Sequence, residues 1–169
     1  MAGMLLAGSC RCGAVGFKIV SHTPYPYQLC YCTICCKTSG GGGYAINIMG
    51  DTDTLEVTGK EHLGSWHAQI ESSDGHGGTR LETSPGARYF CTHCASELWV
   101  SDPRWPVWLW PFASAIDTEL PGAPERVHLM LKYKASWVPV ERGPRDQCFD
   151  EYPEESIEEW HRKRGLWIE

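Results

Sequence analysis

The chain has 169 residues, which suits one ordinary domain with its own hydrophobic core. Its net charge of -6 disfavours a surface that binds nucleic acid by neutralising phosphates, so no nucleic-acid partner is expected. No apolar run approaches the roughly 18 to 20 residues of a membrane helix, so no membrane partner is expected.

Short segments in which apolar and polar residues alternate predict a series of β-strands. In chain order, these segments are Val15 to Ile19, Tyr44 to Ile48, Leu55 to Val57, "ELWV" at 97–100, "VWLW" at 107–110 and "RVHLML" at 126–131. The chain is therefore expected to be mainly β.

Two segments predict loops. Residues 71–80 are polar and contain several glycines, and residues 103–124 contain five prolines, which favour extended chain with little helix. The run Gly40 to Gly43 lacks the lysine of a phosphate-binding loop and is expected to give the backbone room at a turn. The tryptophans near the second loop are expected to fill the core: Trp99, Trp105, Trp108 and Trp110.

The C-terminus predicts one short helix. Pro153 suits its first turn, acidic residues lie early, and basic residues lie late before Gly165. Trp160 would dock it on the core. Two ion pairs four residues apart are expected, Glu158 with Arg162 and Glu159 with Lys163. Residues 1–140 are predicted to form one domain and residues 141–169 a C-terminal extension with this helix.

The first residues, "MAGMLLAGSC", lack the positively charged start and the long apolar stretch of an export signal. A cytoplasmic location is therefore expected. In that reducing compartment, clustered cysteines indicate metal or redox chemistry more often than disulfides.

Two cysteine pairs far apart in the sequence predict a closed zinc site. Cys10 and Cys12 form a CxC pair, and Cys91 and Cys94 form a CxxC pair. Turns of this kind bring two sulfurs onto one ion, and two such turns complete a tetrahedron. A structural zinc is expected here.

A second cluster, "CYCTIC" at residues 30–35, is one ligand short of the same arrangement. Cys30, Cys32 and Cys35 can occupy three corners of a tetrahedron, which leaves a position for water or substrate and favours chemistry on a thiol. Alternatively, Cys36, His93 or another side chain fills the fourth corner and the site is structural. A dithiol redox centre is a third interpretation, although no thioredoxin-like pattern surrounds the cluster.

Three ordered motifs carry a resemblance to a known family: "GSCRCGAVGF", "CYCTICCKTSG" and "SPGARYFCTHCASELW". Over roughly residues 8–140, the chain resembles the glutathione-dependent formaldehyde-activating enzyme family, which is related to centromere protein V. The resemblance implies a β-tent of small antiparallel sheets with two zinc ions, a fold shared with a Rab GTPase chaperone.

The same resemblance implies which cysteines hold which zinc and what the enzyme does. The four-cysteine set would hold the structural zinc, and Cys30, Cys32 and Cys35 the catalytic zinc. The implied reaction adds glutathione to formaldehyde, giving S-hydroxymethylglutathione, and is classed as a carbon-sulfur lyase step. A non-enzymatic protein-interaction module is the alternative function.

The sequence departs from the family pattern at three positions. Cys36 stands where many relatives have a basic residue, Ala95 replaces the usual glycine, and Leu81 replaces a common aromatic.

Substrate-binding residues are expected next to the second cluster. Lys37, Thr38 and Ser39 follow its third cysteine and could reach a substrate carboxylate or the sulfurs. Arg80 and Arg88 are further candidates for a carboxylate. The expected partners are a small-molecule thiol and an aldehyde or related electrophile, and a homodimer is possible. No histidine is assigned a catalytic role.

Overall fold

A computed structural model describes residues 3–39 and 41–169. Within them the chain is mainly β, as expected, with twelve short or medium strands and two short helices. The strands are β1 (Met4–Ser9), β2 (Gly16–Ser21), β3 (Gln28–Cys30), β4 (Ala45–Ile46), β5 (Gly50–Asp51), β6 (Glu56–Thr58), β7 (Leu63–Ser73), β8 (Thr79–Cys91), β9 (Glu97–Ser101), β10 (Trp108–Pro111), β11 (Val127–Leu129) and β12 (Gln147–Cys148). The helices are α1 (Thr33–Ser39) and α2 (Ile157–Lys163).

The strands form three small sheets. Two are antiparallel, with the orders β1-β2-β6 and β5-β10-β9-β8-β7. The third, β12-β11-β3-β4, is mixed, because β11 runs parallel to both β3 and β12. The expectation of antiparallel sheets is therefore met by two sheets and not by the third.

The main core lies where the sheets face one another. Alternation along β1 and β2 buries Leu6, Phe17 and Ile19, while their neighbours point outward. The Phe17 ring meets the buried ring of Trp99 on β9 edge to face, with centroids 5.4 Å apart. This contact joins the first sheet to the second.

A long hairpin of β7 and β8 replaces the loop expected at 71–80, so that prediction was wrong except at residues 74–78. Most residues of the hairpin tip are exposed, so the apolar alternation that marks a strand is absent there. Pro85 lies in a β-bulge opposite Ala68, where the missing N–H breaks no ladder bond.

Helix α1 was not predicted. It has only seven residues, and the thiol of Cys32 caps its first turn by accepting a hydrogen bond from the N–H of Cys35 at 3.3 Å. The strand expected from Tyr44 to Ile48 is shortened to Ala45–Ile46. Of the glycine run, Gly40 lies outside the described residues, as do Met1 and Ala2.

The C-terminal helix begins at Ile157, so the expected start at Pro153 was too early. Ser156 caps it in a capping box with Glu159. Because Glu159 serves the cap, Lys163 pairs with Glu155 at 2.8 Å rather than with Glu159. The pair of Arg162 with Glu158 forms as predicted, at 2.7 Å. No helix in the described part of the chain is long and apolar enough to cross a membrane.

The C-terminal residues pack closely on the main core. The Trp160 ring is 1% exposed and stacks on Tyr27 with centroids 3.7 Å apart. Strand β12 pairs with β11, and the N–H of Ile168 donates to the carbonyl of His22 at 3.0 Å. The boundary at residue 140 remains a prediction, while the hydrophobic core includes side chains from both sides of it.

The tryptophans near the Pro-rich loop divide between core and surface. Trp99 is buried, whereas Trp105 is 50% exposed and lies beneath the guanidinium of Arg104. Trp108 and Trp110 are half-buried. Core filling was therefore the wrong expectation for Trp105.

The burial of His161 predicts an acid-sensitive fold. Its imidazole is fully buried, and burial together with the charge of Arg164 lowers its pKa from 6.5 to about 4. Between pH 6.5 and pH 4, His161 binds a proton more tightly in the unfolded chain than in the folded one. The free energy of unfolding therefore falls as pH drops from 6.5 toward 4. The loss should reach about 3 kcal/mol. Urea denaturation at a series of pH values measures it.

The matched variants are His161→Gln and His76→Gln. The first removes the buried titrating group, so its pH dependence should be flatter than that of the wild type. The second removes an exposed histidine of the hairpin loop and should leave the profile unchanged. Parallel profiles for the wild type and His161→Gln would contradict the assignment.

Candidate metal centres

The first cysteine cluster joins two turns that are distant in sequence. Cys10 and Cys12 lie in the turn after β1, whereas Cys91 ends β8 and Cys94 lies in the turn between β8 and β9. All four sulfurs lie within 4.8 Å of one another. Cys12 is 3.6 Å from Cys10 and 3.7 Å from Cys91, measured between sulfur atoms.

These distances fit a tetrahedral zinc ion. With Zn–S bonds of about 2.3 Å, the sulfurs of a tetrahedral site lie about 3.8 Å apart. Donors around two of the sulfurs favour thiolates. The N–H of Val15 donates to the sulfur of Cys10 at 3.2 Å. The hydroxyl and backbone N–H of Ser96 lower the pKa of Cys94 to about 5. The donor set therefore suits a thiophilic cation.

The second cluster is local in sequence. Cys30 ends β3, Cys32 precedes α1, and Cys35 lies within that helix. Their sulfurs also lie within 4.8 Å of one another, and Cys30 and Cys35 are buried. The strand and the capped helix together fix the positions of the three sulfurs.

The three sulfurs of the second cluster share negative charge unequally. Hydrogen bonds from the thiols of Cys30 and Cys35 hold the pKa of Cys32 far below its ordinary value. Bonds to Cys32 and Cys35, together with burial, raise the pKa of Cys30. The site thus accommodates one thiolate readily, and further ionisation requires a cation between the sulfurs. A metal ion fits this donor set.

No fourth ligand joins these three among the described residues. No other Cys, His, Asp or Glu there has a ligand atom within 4.8 Å of all three sulfurs. Cys36, considered above as a fourth ligand, lies outside the group and donates its N–H to the carbonyl of Cys32. His93 is exposed and packs against His62 with ring centroids 4.0 Å apart.

Tyr152 and Arg88 lie within electrostatic range of the second cluster. Tyr152 is 72% exposed, although protein atoms surround the hydroxyl end on one side. That environment first, and then the charges of the three cysteines, raise its pKa to about 12, while Arg88 acts in the opposite direction. The Nε of Arg88 is buried without a hydrogen-bond partner in the described structure. Its guanidinium carbon lies 5.8 Å from the centre of the Trp66 ring.

The other candidate substrate-binding residues differ in their exposure and in their hydrogen-bond partners. Lys37 is exposed at the end of α1. The hydroxyl of Thr38 donates to the carbonyl of Ile34 at 2.9 Å, whereas that of Ser39 is buried without a partner in the described part of the chain. Arg80 is exposed in the hairpin and pairs with Glu82, so it is engaged elsewhere.

Comparison with known proteins identifies the family. Residues 5–126 match the profile described as "Glutathione-dependent formaldehyde-activating enzyme". The chain belongs to this family. A protein of Halomonas elongata that carries the same name provisionally is 58% identical over 163 residues, 96% of this chain and 98% of its own. A solved structure of a Rhodobacter sphaeroides protein aligns with 69% of this chain and 99% of its own at 17% identity and a TM-score of 0.46, too distant to inform the function.

Ala95 has a backbone conformation that favours glycine, the residue expected there from the family resemblance. It follows the CxxC pair with φ of 60°, in the left-handed region, and its N–H donates to the carbonyl of Cys91 at 2.8 Å. A side chain in this conformation costs about 1 kcal/mol. The turn that carries two candidate ligands is therefore strained in this chain.

Replacing Ala95 by glycine should relieve that strain. We expect Ala95→Gly to raise the free energy of unfolding by about 0.5 kcal/mol, since glycine also gains freedom in the unfolded chain. The control Ala87→Gly, in the middle of β8, should lower it by a similar amount. Urea denaturation at fixed metal content measures the free energy of unfolding of both variants. Equal destabilisation by Ala95→Gly and Ala87→Gly would contradict the assignment of strain to Ala95.

Proposed function

We propose that the protein is a zinc-dependent enzyme of the carbon-sulfur lyase class, which joins a thiol to formaldehyde or a related electrophile. The observation that carries the proposal is the second cluster, where three sulfurs converge without a fourth protein ligand in residues 3–39 and 41–169. Glutathione is the favoured thiol, because both the family description and the name of the Halomonas elongata relative specify it.

The two clusters have different roles in this proposal. Cys10, Cys12, Cys91 and Cys94 supply a complete tetrahedron and would hold a structural zinc. The three cysteines of the second cluster would hold a second zinc and leave one position free, as catalytic zinc sites do. A zinc ion bound there would supply the positive charge that keeps a bound thiol in its thiolate form.

The proposed reaction forms one carbon-sulfur bond. The thiolate sulfur attacks the carbonyl carbon of formaldehyde, and the π electrons of the C=O bond move to oxygen. That oxygen takes up the proton that the thiol released, which gives S-hydroxymethylglutathione. No electrons are gained or lost overall, so the step needs no oxidant or reductant.

The side chains around the cluster would orient the thiol substrate. The unpartnered Nε–H of Arg88 suits a substrate carboxylate, because a buried donor without an acceptor is costly and a charged acceptor relieves that cost. We keep Lys37, Thr38 and Ser39 as proposed binding residues, with Lys37 and Ser39 the better placed since Thr38 already bonds within α1. Three thiolates weaken Lewis acidity, so positioning of the two reactants is expected to contribute most.

A cytoplasmic location belongs to the same proposal. All nine cysteines are free thiols in the structure. A reducing compartment keeps them in that state and supplies the small-molecule thiol that the reaction uses.

The test compares Cys32→Ser with Cys36→Ser. Exchange spectroscopy with ¹³C-formaldehyde and glutathione measures how fast the adduct forms and breaks, and the wild type should exceed the spontaneous rate. Cys32→Ser should lose at least about tenfold of the enzymatic rate and one equivalent of zinc, whereas Cys36→Ser should retain both.

Two outcomes would overturn the proposal. One is a wild-type protein with both zinc ions bound and no rate above the spontaneous one, which the alternative of an interaction module predicts. The other is a Cys32→Ser variant that is folded, as judged by its NMR spectrum, and fully active.

A further inference from the structure

A cavity of about 340 Å³ lies on the third sheet, on the face away from the second cysteine cluster. Leu29 and Tyr31 line it, while Cys30 between them points to the opposite side, because side chains alternate along an extended chain. Consistently, Leu29 and Tyr31 pack in a small cluster with Val138, and Cys30 belongs to the main core. The cavity is therefore separate from the proposed reaction site.

Buried polar side chains support one wall of the cavity. The hydroxyl of Tyr31 and Nδ1 of His128 are 2.9 Å apart, and both side chains are almost fully buried. His128 Nε2 lies 3.5 Å from Oδ2 of Asp146. That carboxylate also accepts hydrogen bonds from the N–H groups of Gly143 and Arg126, each at 2.8 Å. These contacts connect Tyr31, His128 and Asp146 along this wall.

Aromatic side chains form the other walls. The ring of Tyr44 lies with its centroid 5.3 Å from that of Tyr31, and Trp137 lines the cavity with 65% of its surface exposed. Gly43 lets the backbone lie close to Val138, because a Cβ on Gly43 would lie 2.3 Å from the side chain of Val138. Such a wall suits an aromatic or otherwise apolar group.

Two exposed side chains of opposite charge line the cavity. They are Arg126 and Glu141, and both also line a second, more polar cavity of about 340 Å³. Neither side chain forms an ion pair with any residue that the structure describes. An anion alone would meet repulsion from Glu141, and a cation alone would meet repulsion from Arg126. A ligand that bears both charges satisfies both residues.

We propose that this cavity binds a zwitterionic amino acid with an aromatic side chain. The ligand carboxylate pairs with the guanidinium of Arg126, and its ammonium group pairs with Glu141. Its ring lies against Tyr44 and Trp137. This binding goes beyond the thiol–aldehyde reaction and uses neither cysteine cluster. His128, Trp137 and Glu141 lie outside the residues 5–126 that the family profile matches.

The ligand test is calorimetric titration of the full-length protein with L-phenylalanine. Phenethylamine lacks the carboxylate and 3-phenylpropionate lacks the ammonium group, so each should bind at least about tenfold more weakly. Absence of L-phenylalanine binding at millimolar concentration would overturn the proposal. Equal binding of either single-charge analogue, or tighter binding of S-methylglutathione at this cavity, would overturn the ligand class.

The site test uses variants of the two charged residues and of the aromatic wall. Arg126→Gln, Glu141→Gln and Trp137→Ala should each weaken L-phenylalanine binding at least about tenfold, whereas Lys18→Gln, exposed on β2, should bind as the wild type does. Wild-type affinity in all three would place the ligand elsewhere and overturn the proposal. The same variants should retain thiol–formaldehyde exchange and zinc content, so this test is independent of the proposed function.

Discussion

Mutual repulsion between close thiolates is the constraint on which the rest of this structure depends. Sulfur atoms within 4.8 Å of one another cannot all ionise unless a cation neutralises them, yet both clusters hold their sulfurs at that spacing. In the first cluster the cysteines come from turns far apart, with Cys12 and Cys91 separated by 79 positions. A metal ion there would link the sheet of β1 and β2 to the sheet of β8 and β9, where Phe17 already packs on Trp99.

The second cluster depends on the same chemistry but on a different part of the fold. Its cysteines lie within six consecutive residues, positioned by β3 on one side and by the capped start of α1 on the other. Strand β3 is held in turn by its parallel partner β11. The chain after β11 then packs on the core through Trp160 and brings Tyr152 into electrostatic range of the three sulfurs. A site that is local in sequence thus receives its surroundings from distant segments.

Features that depend on neighbouring residues could be predicted from the sequence, whereas features that depend on contacts between distant segments could not. The spacing argument and the structure group the same seven cysteines, because CxC and CxxC turns constrain sulfur positions by themselves. Alternation likewise predicted β2, β9 and β11, each of which buries one or both faces. The β7–β8 hairpin was missed because its tip is exposed on both faces. The capping box of Ser156 and Glu159 has a local sequence signature, a serine followed three residues later by a glutamate, and that signature places the helix start more accurately than Pro153 does.

Features that arise from distant contacts could not have been read in this way. Nothing in the sequence pairs β11 with β3 in parallel, so the meeting of Tyr31, His128 and Asp146 was not predictable. The same holds for Arg88, whose buried Nε became apparent only in the folded structure.

The central claim is that one cluster is closed and the other keeps a free coordination position. Zinc analysis combined with X-ray absorption spectroscopy tests this most directly. The account predicts two zinc ions per chain with a mean of about 3.5 sulfur ligands each, which rises to about 4 when glutathione is added. A single zinc ion, or a mean of four sulfurs without added thiol, would contradict it.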